Sequence, residues 1–416
     1  MFTRFILFIS ILLIAGFSTS AQEGSSSPYS FLGLGTKAFR GTVENRSMGG
    51  LATFSDSIHL NLRNPAAYSD LQLTAFSAGV TANSTKLKTN TTSTDINYFT
   101  LDYISIGLPF NNLGVGFGVK PRSAVGYELE ERSQTSISRF EGRGGLNTVY
   151  FSVGFEPIKN LRLGGTANYN FGDIENKAII FRNQVQFASR EINFTDIKGF
   201  SFDIGALYDV KLSNKITLKS SVRYETESSL DVSRRRELST IQQGQNGAEN
   251  VVNQINVDPV DTEIDLPEMY AFGLGLGQDR KWFVGLEYEN YTAGDFSELG
   301  FNFGSEVVQK EASTFKFGGF YIPRYNDPVS YFKRIVYRAG IRYEESGLQY
   351  RGEDINEFGI SFGLGLPAGR VFTNANIGVE YFERGTTFNN LIQENFISVF
   401  MSFSFNDKWF IKSKYN

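Results

Sequence analysis

From Leu71 onward the sequence breaks into about fourteen stretches of period-2 patterning, and the connections between them sort by parity. The stretches fall near 73–84, 95–110, 113–130, 143–157, 161–173, 197–212, 216–233, 264–277, 281–293, 312–325, 334–346, 354–367, 371–385 and 393–406. Every second connection is short: Asn111-Asn112, 157–160, Ser213-Asn214-Lys215, Gln278-Asp279-Arg280, 326–333 and 367–370. Between these lie longer polar connections at 85–94, 131–142, 174–196, 234–263, 294–311, 347–353 and 386–392. A soluble sandwich has no reason to sort its loops this way. A barrel crossing a membrane does, with tight turns on one side and long loops on the other. The expected fold class is all-β, a transmembrane antiparallel β-barrel of about fourteen strands with an N-terminal plug (hatch).

Side-chain parity agrees. Ile397, Val399, Met401, Phe403 and Phe405 alternate with Ser398, Phe400, Ser402 and Ser404. Phe358, Ile360, Phe362, Leu364 and Leu366 alternate with glycine and serine, and Trp282, Val284, Leu286 and Tyr288 alternate with Gly285, Glu287 and Glu289. A lipid-facing wall needs one set and a polar lumen tolerates the other. This explains how 15% aromatics, with 39 Phe and 20 Tyr, coexist with 42 Gly and a slightly negative mean hydropathy. Tyr224, Tyr288, Tyr343 and Tyr381 sit toward the long-loop ends, and Trp282 and Trp409 by the short turns, as interfacial belts require. The apolar parity slips at Tyr103-Ile104, which predicts a bulge.

The first seventy or so residues have no such pattern. Met1 to Ala21 reads as a signal peptide, with Arg4, an apolar centre and a small-residue cleavage site. Residues 22–72 then read as a plug segment and 73–416 as the barrel. The plug stretch holds Met48-Gly49-Gly50, Asp56 and Asn64-Pro65-Ala66-Ala67. Inward-parity glycines (Gly114, Gly116, Gly118; Gly273, Gly275, Gly277; Gly359, Gly363, Gly365) lie on the short-turn halves of their strands. Inward charges (Lys219, Arg223, Glu225, Glu287, Glu289, Arg338, Arg342, Glu344, Glu380) lie toward the other half. Glycine in a strand marks close approach of another backbone, so the plug is expected in the short-turn half beneath a charged, hydrated vestibule. Lys120-Pro121-Arg122 interrupts the third strand, where a proline cannot donate to the ladder. A kink is expected there, as a simple bulge or as a gap in the wall. Both termini are expected on the periplasmic side of a bacterial outer membrane.

The segment Met48-Gly49-Gly50, Asp56 and Asn64-Pro65-Ala66-Ala67 resembles the N-terminal hatch of the FadL-type outer-membrane transporters of hydrophobic compounds. The resemblance implies a fourteen-stranded barrel, movement of a fatty-acid-like or aromatic ligand, and a sideways exit through a kink in strand three, here 119–122. Some relatives look instead like accessory subunits of secretion or assembly machines. The charged lumen and the polar loop 234–263, with Gln242, Gln243, Gln245 and Asn246, fit that second reading, in which the barrel is a non-transporting scaffold.

Other chemistry is not expected. The single histidine, His59, lies near Ser55, Asp56 and Ser57, but no nucleophile-elbow sequence is present, so no enzyme is predicted. Asp258, Asp261, Glu263, Asp265 and Glu268 match no calcium-loop spacing, and the absence of cysteine removes disulfides and thiolate metal sites. Neither cofactor nor metal is expected. A net charge of -4 argues against nucleic acid. The expected partners are outer-membrane lipid, lipopolysaccharide (whose phosphates Arg234-Arg235-Arg236 could meet), a hydrophobic ligand and other outer-membrane proteins.

Overall fold

A strand needs about ten residues to cross a membrane, and the strands of this protein divide on that measure. The structure, a computed structural model, describes residues 24–244, 247–294, 296, 299, 307–368 and 373–407. The signal peptide, Gln245, Asn246, Trp409 and part of the 294–311 and 367–370 connections lie outside them. The wall consists of β1 (Thr74–Lys88), β2 (Ser93–Phe110), β3 (Leu113–Arg132), β4 (Ser136–Ile158), β5 (Leu161–Arg182) and β6 (Ala188–Lys211). It continues with β7 (Thr217–Glu225 and Ser228–Gln243), β8 (Glu249–Leu266 and Met269–Gln278), β9 (Trp282–Tyr291) and β10 (Val307–Gln309 and Ala312–Tyr321). It ends with β11 (Val336–Tyr350), β12 (Glu353–Ala368), β13 (Thr373–Arg384) and β14 (Gln393–Asp407). Pairing is antiparallel throughout, and β14 closes on β1 from Gln393↔Lys88 to Asp407↔Thr74. Asn111 and Asn160 take positive φ, 59° and 70°, at two of the short turns, the conformation that two-residue hairpins need.

The strands β9 and the main part of β10 have 10 residues each, enough to span and no more, whereas β4 has 23 and β6 has 24. The connections expected at 131–142, 174–196 and 234–263 are therefore largely strand, and this corrects the sequence reading. Beyond the membrane a strand needs no apolar outer face, so its polar outward residues read as loop. Its inward residues remain apolar: Tyr127, Leu146, Ile174, Ile197, Leu230, Val232, Ile264 and Leu266 form one buried cluster around Phe31. Within the membrane band the expected parity holds. Ile397, Val399, Phe403 and Phe405 are exposed outward while Ser398, Phe400, Ser402 and Ser404 are buried inward. The bulge expected near Tyr103 is a register shift, Gly79↔Tyr103 followed by Val80↔Leu101. It leaves Asp102 unopposed, so Leu101 and Ile104 both face outward while Tyr103 stays buried.

Residues 24–73 run down the inside of this wall. Tyr29 donates its hydroxyl to the Ile392 carbonyl at the long-loop end. Thr36–Lys37 pairs with β3 at Ala124 and Ser123. A single helical turn, Val43–Arg46, is capped by Thr42 and Asn45, and a 3-10 turn, Pro65–Asp70, precedes β1. The described chain thus begins at the long-loop end and finishes with β14 at the short-turn end. The two described ends lie on opposite sides; the termini themselves, for which a shared side is expected, lie outside the described residues.

Candidate functional site

Two kinds of seat hold the inner segment. The first is steric. The segment crosses the wall where inward residues are glycine, and a Cβ on any of these would overlap its backbone or, at Gly116 and Gly205, its side chains. Gly318 and Gly340 face Met48 and Gly49, and Gly154 and Gly164 face Pro65 and Ala66. Gly205 faces Asn64, and Gly114 and Gly116 face Tyr68. Gly49 and Gly50 turn the segment with φ of 69° and 88°, a region open to glycine at little cost. The Asn64 side chain accepts from the Ala66 N–H at 3.1 Å, the cap that starts the 3-10 turn. It also donates to the Ala206 carbonyl at 3.4 Å. Ala66 and Ala67 pack on Leu207, and the Tyr68 hydroxyl meets Tyr150 at 3.1 Å. Of the inward glycines read from sequence, Gly114, Gly116, Gly273 and Gly363 meet the segment. Gly118, Gly275, Gly277, Gly359 and Gly365 instead make room for wall residues such as Phe283 and Arg338.

The second seat is ionic. Glu289 pairs with Arg63 of the segment and with Arg223 and Lys316 of the wall. Glu287 pairs with Arg223 at 2.9 Å and Lys316 at 3.2 Å, and accepts from the Ala52 N–H at 2.8 Å. Glu380 pairs with Arg46 at 2.8 Å and Arg342 at 3.7 Å. Glu225 pairs with Arg40 at 2.9 Å and Arg122 at 2.6 Å. Arg338 bonds to Asn376 at 3.0 Å, and Asn376 in turn donates to Glu44 of the segment at 2.8 Å. Glu225, Glu287, Glu289 and Glu380 are all 2–3% exposed. These four carboxylates are thus buried and tied directly to the segment, instead of standing above it. Nor is the segment confined to the short-turn half. Arg40, Arg46 and Arg63 were not singled out as ties in the sequence. The signal was available: these three arginines precede a barrel that presents Glu225, Glu287, Glu289 and Glu380 inward. A buried carboxylate needs a cation and hydrogen-bond donors to be tolerated.

Asp56 and His59 form a local pair. The imidazole Nδ1 lies 2.7 Å from Asp56 Oδ2, and Asp56 Oδ1 accepts the N–H groups of Ile58 and His59. Burial disfavours the Asp56 carboxylate, but His59 and these two N–H donors outweigh it and hold the carboxyl down at about 2. Burial likewise opposes the imidazolium, and Asp56 outweighs it, raising the His59 pKa. Ser55 turns away, donating to Asp70 at 2.6 Å.

At the kink, β3 does not end. Its register with β4 shifts between Pro121 and Ser123, and its pairing with β2 stops at Ile104↔Val119. Lys120 turns inward and donates to the Leu62 carbonyl at 3.2 Å. Above Val119 the two strands part, and a cavity of about 820 Å³ reaches the opening from inside. Its lining mixes Phe39, Phe99 and Phe382 with Arg46, Arg342 and Glu380. Every one of those three charges already has an opposite charge beside it. Among the described residues no cluster of His, Cys, Asp and Glu is arranged to hold a metal.

The architecture is that of known outer-membrane barrels. The toluene transporter TodX of Pseudomonas putida superposes with a TM-score of 0.58 at 15% identity, over 89% of this chain and 99% of that one. The toluene transporter TbuX of Ralstonia pickettii gives 0.60 at 14%, over 89% and 99%. A FadL homologue of Pseudomonas aeruginosa gives 0.62 at 10%, over 90% and 99%. The chain is thus a structural relative of the FadL-type barrels, and at these identities the likeness concerns the fold. No curated protein matches its sequence. One family does, along the entire chain from residue 1 to residue 416: the protein belongs to the BamG family.

Proposed function

We propose that this protein is a barrel subunit of a larger outer-membrane secretion or assembly complex, its interior closed by a fixed plug formed by residues 24–72. The observation that carries this reading is the ring of buried ion pairs. Arg40, Arg46 and Arg63 fasten the segment to β7, β9 and β13, on well separated parts of the wall. Sliding the segment aside would part all three pairs at once and leave Glu225 only Arg122, Glu380 only Arg342, and Glu289 only Arg223 and Lys316. Membership of a family other than that of the toluene transporters supports the same reading.

A second reading, passage of a hydrophobic small molecule, is favoured by the parted β2 and β3 and the cavity behind them. The charged lining counts against it, since an apolar guest would gain little there and would exclude water from ionised groups. The two readings separate on extraction from native outer membranes in mild detergent, followed by mass spectrometry. Stable co-purification of other envelope proteins with no retained apolar ligand is the expected result. A lone barrel carrying a fatty or aromatic ligand would overturn the proposal in favour of transport.

A further inference from the structure

On the tall side of the barrel one strand has no neighbour along one side among the described residues. The outer part of β8, Glu249–Leu266, pairs with β7 on one side from Glu249↔Gln243 to Leu266↔Ser228. On its other side the next strand, β9, pairs only with Met269–Gln278. Among the described residues nothing hydrogen-bonds the free side of Glu249–Leu266. Exposure agrees. Every residue from Val251 to Asp261 is exposed on both faces, with Val252 at 56%, Ile255 at 59% and Val260 at 59%. At 18 residues this edge stands roughly 60 Å long at about 3.4 Å per residue.

Such an edge is a template for another strand, and natural proteins blunt one with charge (lysine above all), proline, bulges, brevity or a cover. This one carries no lysine, but it has Pro259 and two register shifts, Val251/Asn253 and Val257/Val260. Its chemistry is also divided. The tip half presents Val251, Val252, Ile255 and Val257. The half nearer the membrane presents Asp258, Asp261 and Glu263, none of which has an ion-pair partner among the described residues, and Glu263 faces Asp231 across the ladder. Arg235 and Arg236 on β7 are engaged with Glu237 and Glu191.

We infer that this edge receives an extended segment of a different polypeptide at the cell surface, added as a further strand. Its apolar β-branched residues lie beside 251–257 and its lysines or arginines beside 258–263. Strand addition draws affinity from the backbone and specificity from alternate side chains. A second copy of this chain fits poorly. Paired in parallel, it would set acid against acid; paired antiparallel along the full length, it would set each acidic half against the other's valines and isoleucine. The inference does not depend on whether the interior conducts.

The protein has no cysteine, so single probes are clean. Val252→Cys on the edge and Thr91→Cys on another exposed loop are compared in intact cells and as purified protein, with a membrane-impermeant maleimide. V252C is expected to react about tenfold or more slowly in cells and freely when purified, whereas T91C reacts in both, as local protection by a partner requires. Amide hydrogen exchange across 249–263 is expected to be slower in native outer-membrane vesicles than in the purified barrel. A photo-crosslinking residue at Ile255 is expected to yield an adduct with one other polypeptide, lost when Val251→Lys and Val257→Lys are added, a double variant whose purified barrel unfolds at an unchanged temperature. Equal V252C labelling in both settings would overturn the inference. So would shielding of the side chain without slowed amides, which indicates surface sugar, and so would an adduct of twice the chain mass, which indicates a second copy.

Discussion

The inner segment is held differently at its two ends. At Arg40, Arg46, Ala52 and Thr53, and again at Arg63, it is tied to buried carboxylates, Glu225, Glu380, Glu287 and Glu289, although Met48 and Gly49 between these ties also lie on Gly318 and Gly340. Between Asn64 and Tyr68 it is fastened by shape, its backbone lying on the glycines of β3–β6. The ionic end specifies one arrangement, because every buried charge must find its partner. The steric end tolerates many neighbours but admits no bulk. A segment that had to leave the barrel on each working cycle would be poorly served by the first, and this contrast underlies the closed-interior reading.

The largest expected effect is at the ionic end. Glu289→Gln takes from Arg63 its carboxylate and leaves Arg223 and Lys316 sharing Glu287, and should destabilise the barrel by about 3–5 kcal/mol. Denaturant unfolding of the purified protein in detergent measures it. An effect within a few tenths of a kcal/mol would mean that the charges are solvated, and the contrast would collapse. At the steric end, Gly164→Val places its side chain on the Pro65–Ala66 backbone. Overpacking of this kind costs about 1–3 kcal/mol, and protease cleavage within residues 60–70 should rise in the variant and not in the wild type. Tyr68→Phe removes one buried hydrogen bond to Tyr150 and should cost about 1 kcal/mol.

The smallest effect belongs to Asp56 and His59, between the two ends. The His59 pKa is raised on folding, so its contribution is complete below the ordinary imidazole range and is lost as pH rises through the folded value. The Asp56 pKa is lowered, so its contribution is complete above the ordinary carboxylate range and is lost as pH falls toward about 2. The melting-temperature gap between wild type and His59→Gln should therefore be widest near about pH 5 and narrow toward about pH 9. A gap that widened with pH would contradict the pairing.

The wall was legible because lipid imposes a strict two-residue period, so Val284, Leu286, Phe362 and Val399 declare their outward face unaided. The tall strands above the membrane were not. Released from lipid, residues such as Asp196, Ser233 and Gln254 are polar on the outer side, and the remaining apolar signal from Ile174, Ile197 and Leu230 is half a pattern. The glycines announced close approach of the segment at Gly114, Gly116, Gly273 and Gly363, by its backbone at Gly114 and by the side chains of Tyr68, Thr53 and Ser47 at the other three. The inward charges were placed on the correct face, but the groups of the segment that tie Glu225, Glu287, Glu289 and Glu380 lie at least 185 residues away in sequence. Arg46 and Glu380 are 334 residues apart, and only the folded wall brings them together.

One cross-link tests the closed interior directly. Thr53 Oγ1 of the segment lies 2.9 Å from Ser221 Oγ of β7, close enough for a disulfide between Thr53→Cys and Ser221→Cys in a chain with no other cysteine. With the bond formed in cells, outer-membrane composition and growth should match those of the same strain under reductant. A loss of either on oxidation, reversed by reductant and absent in each single variant, would show that the segment must move and would contradict the account.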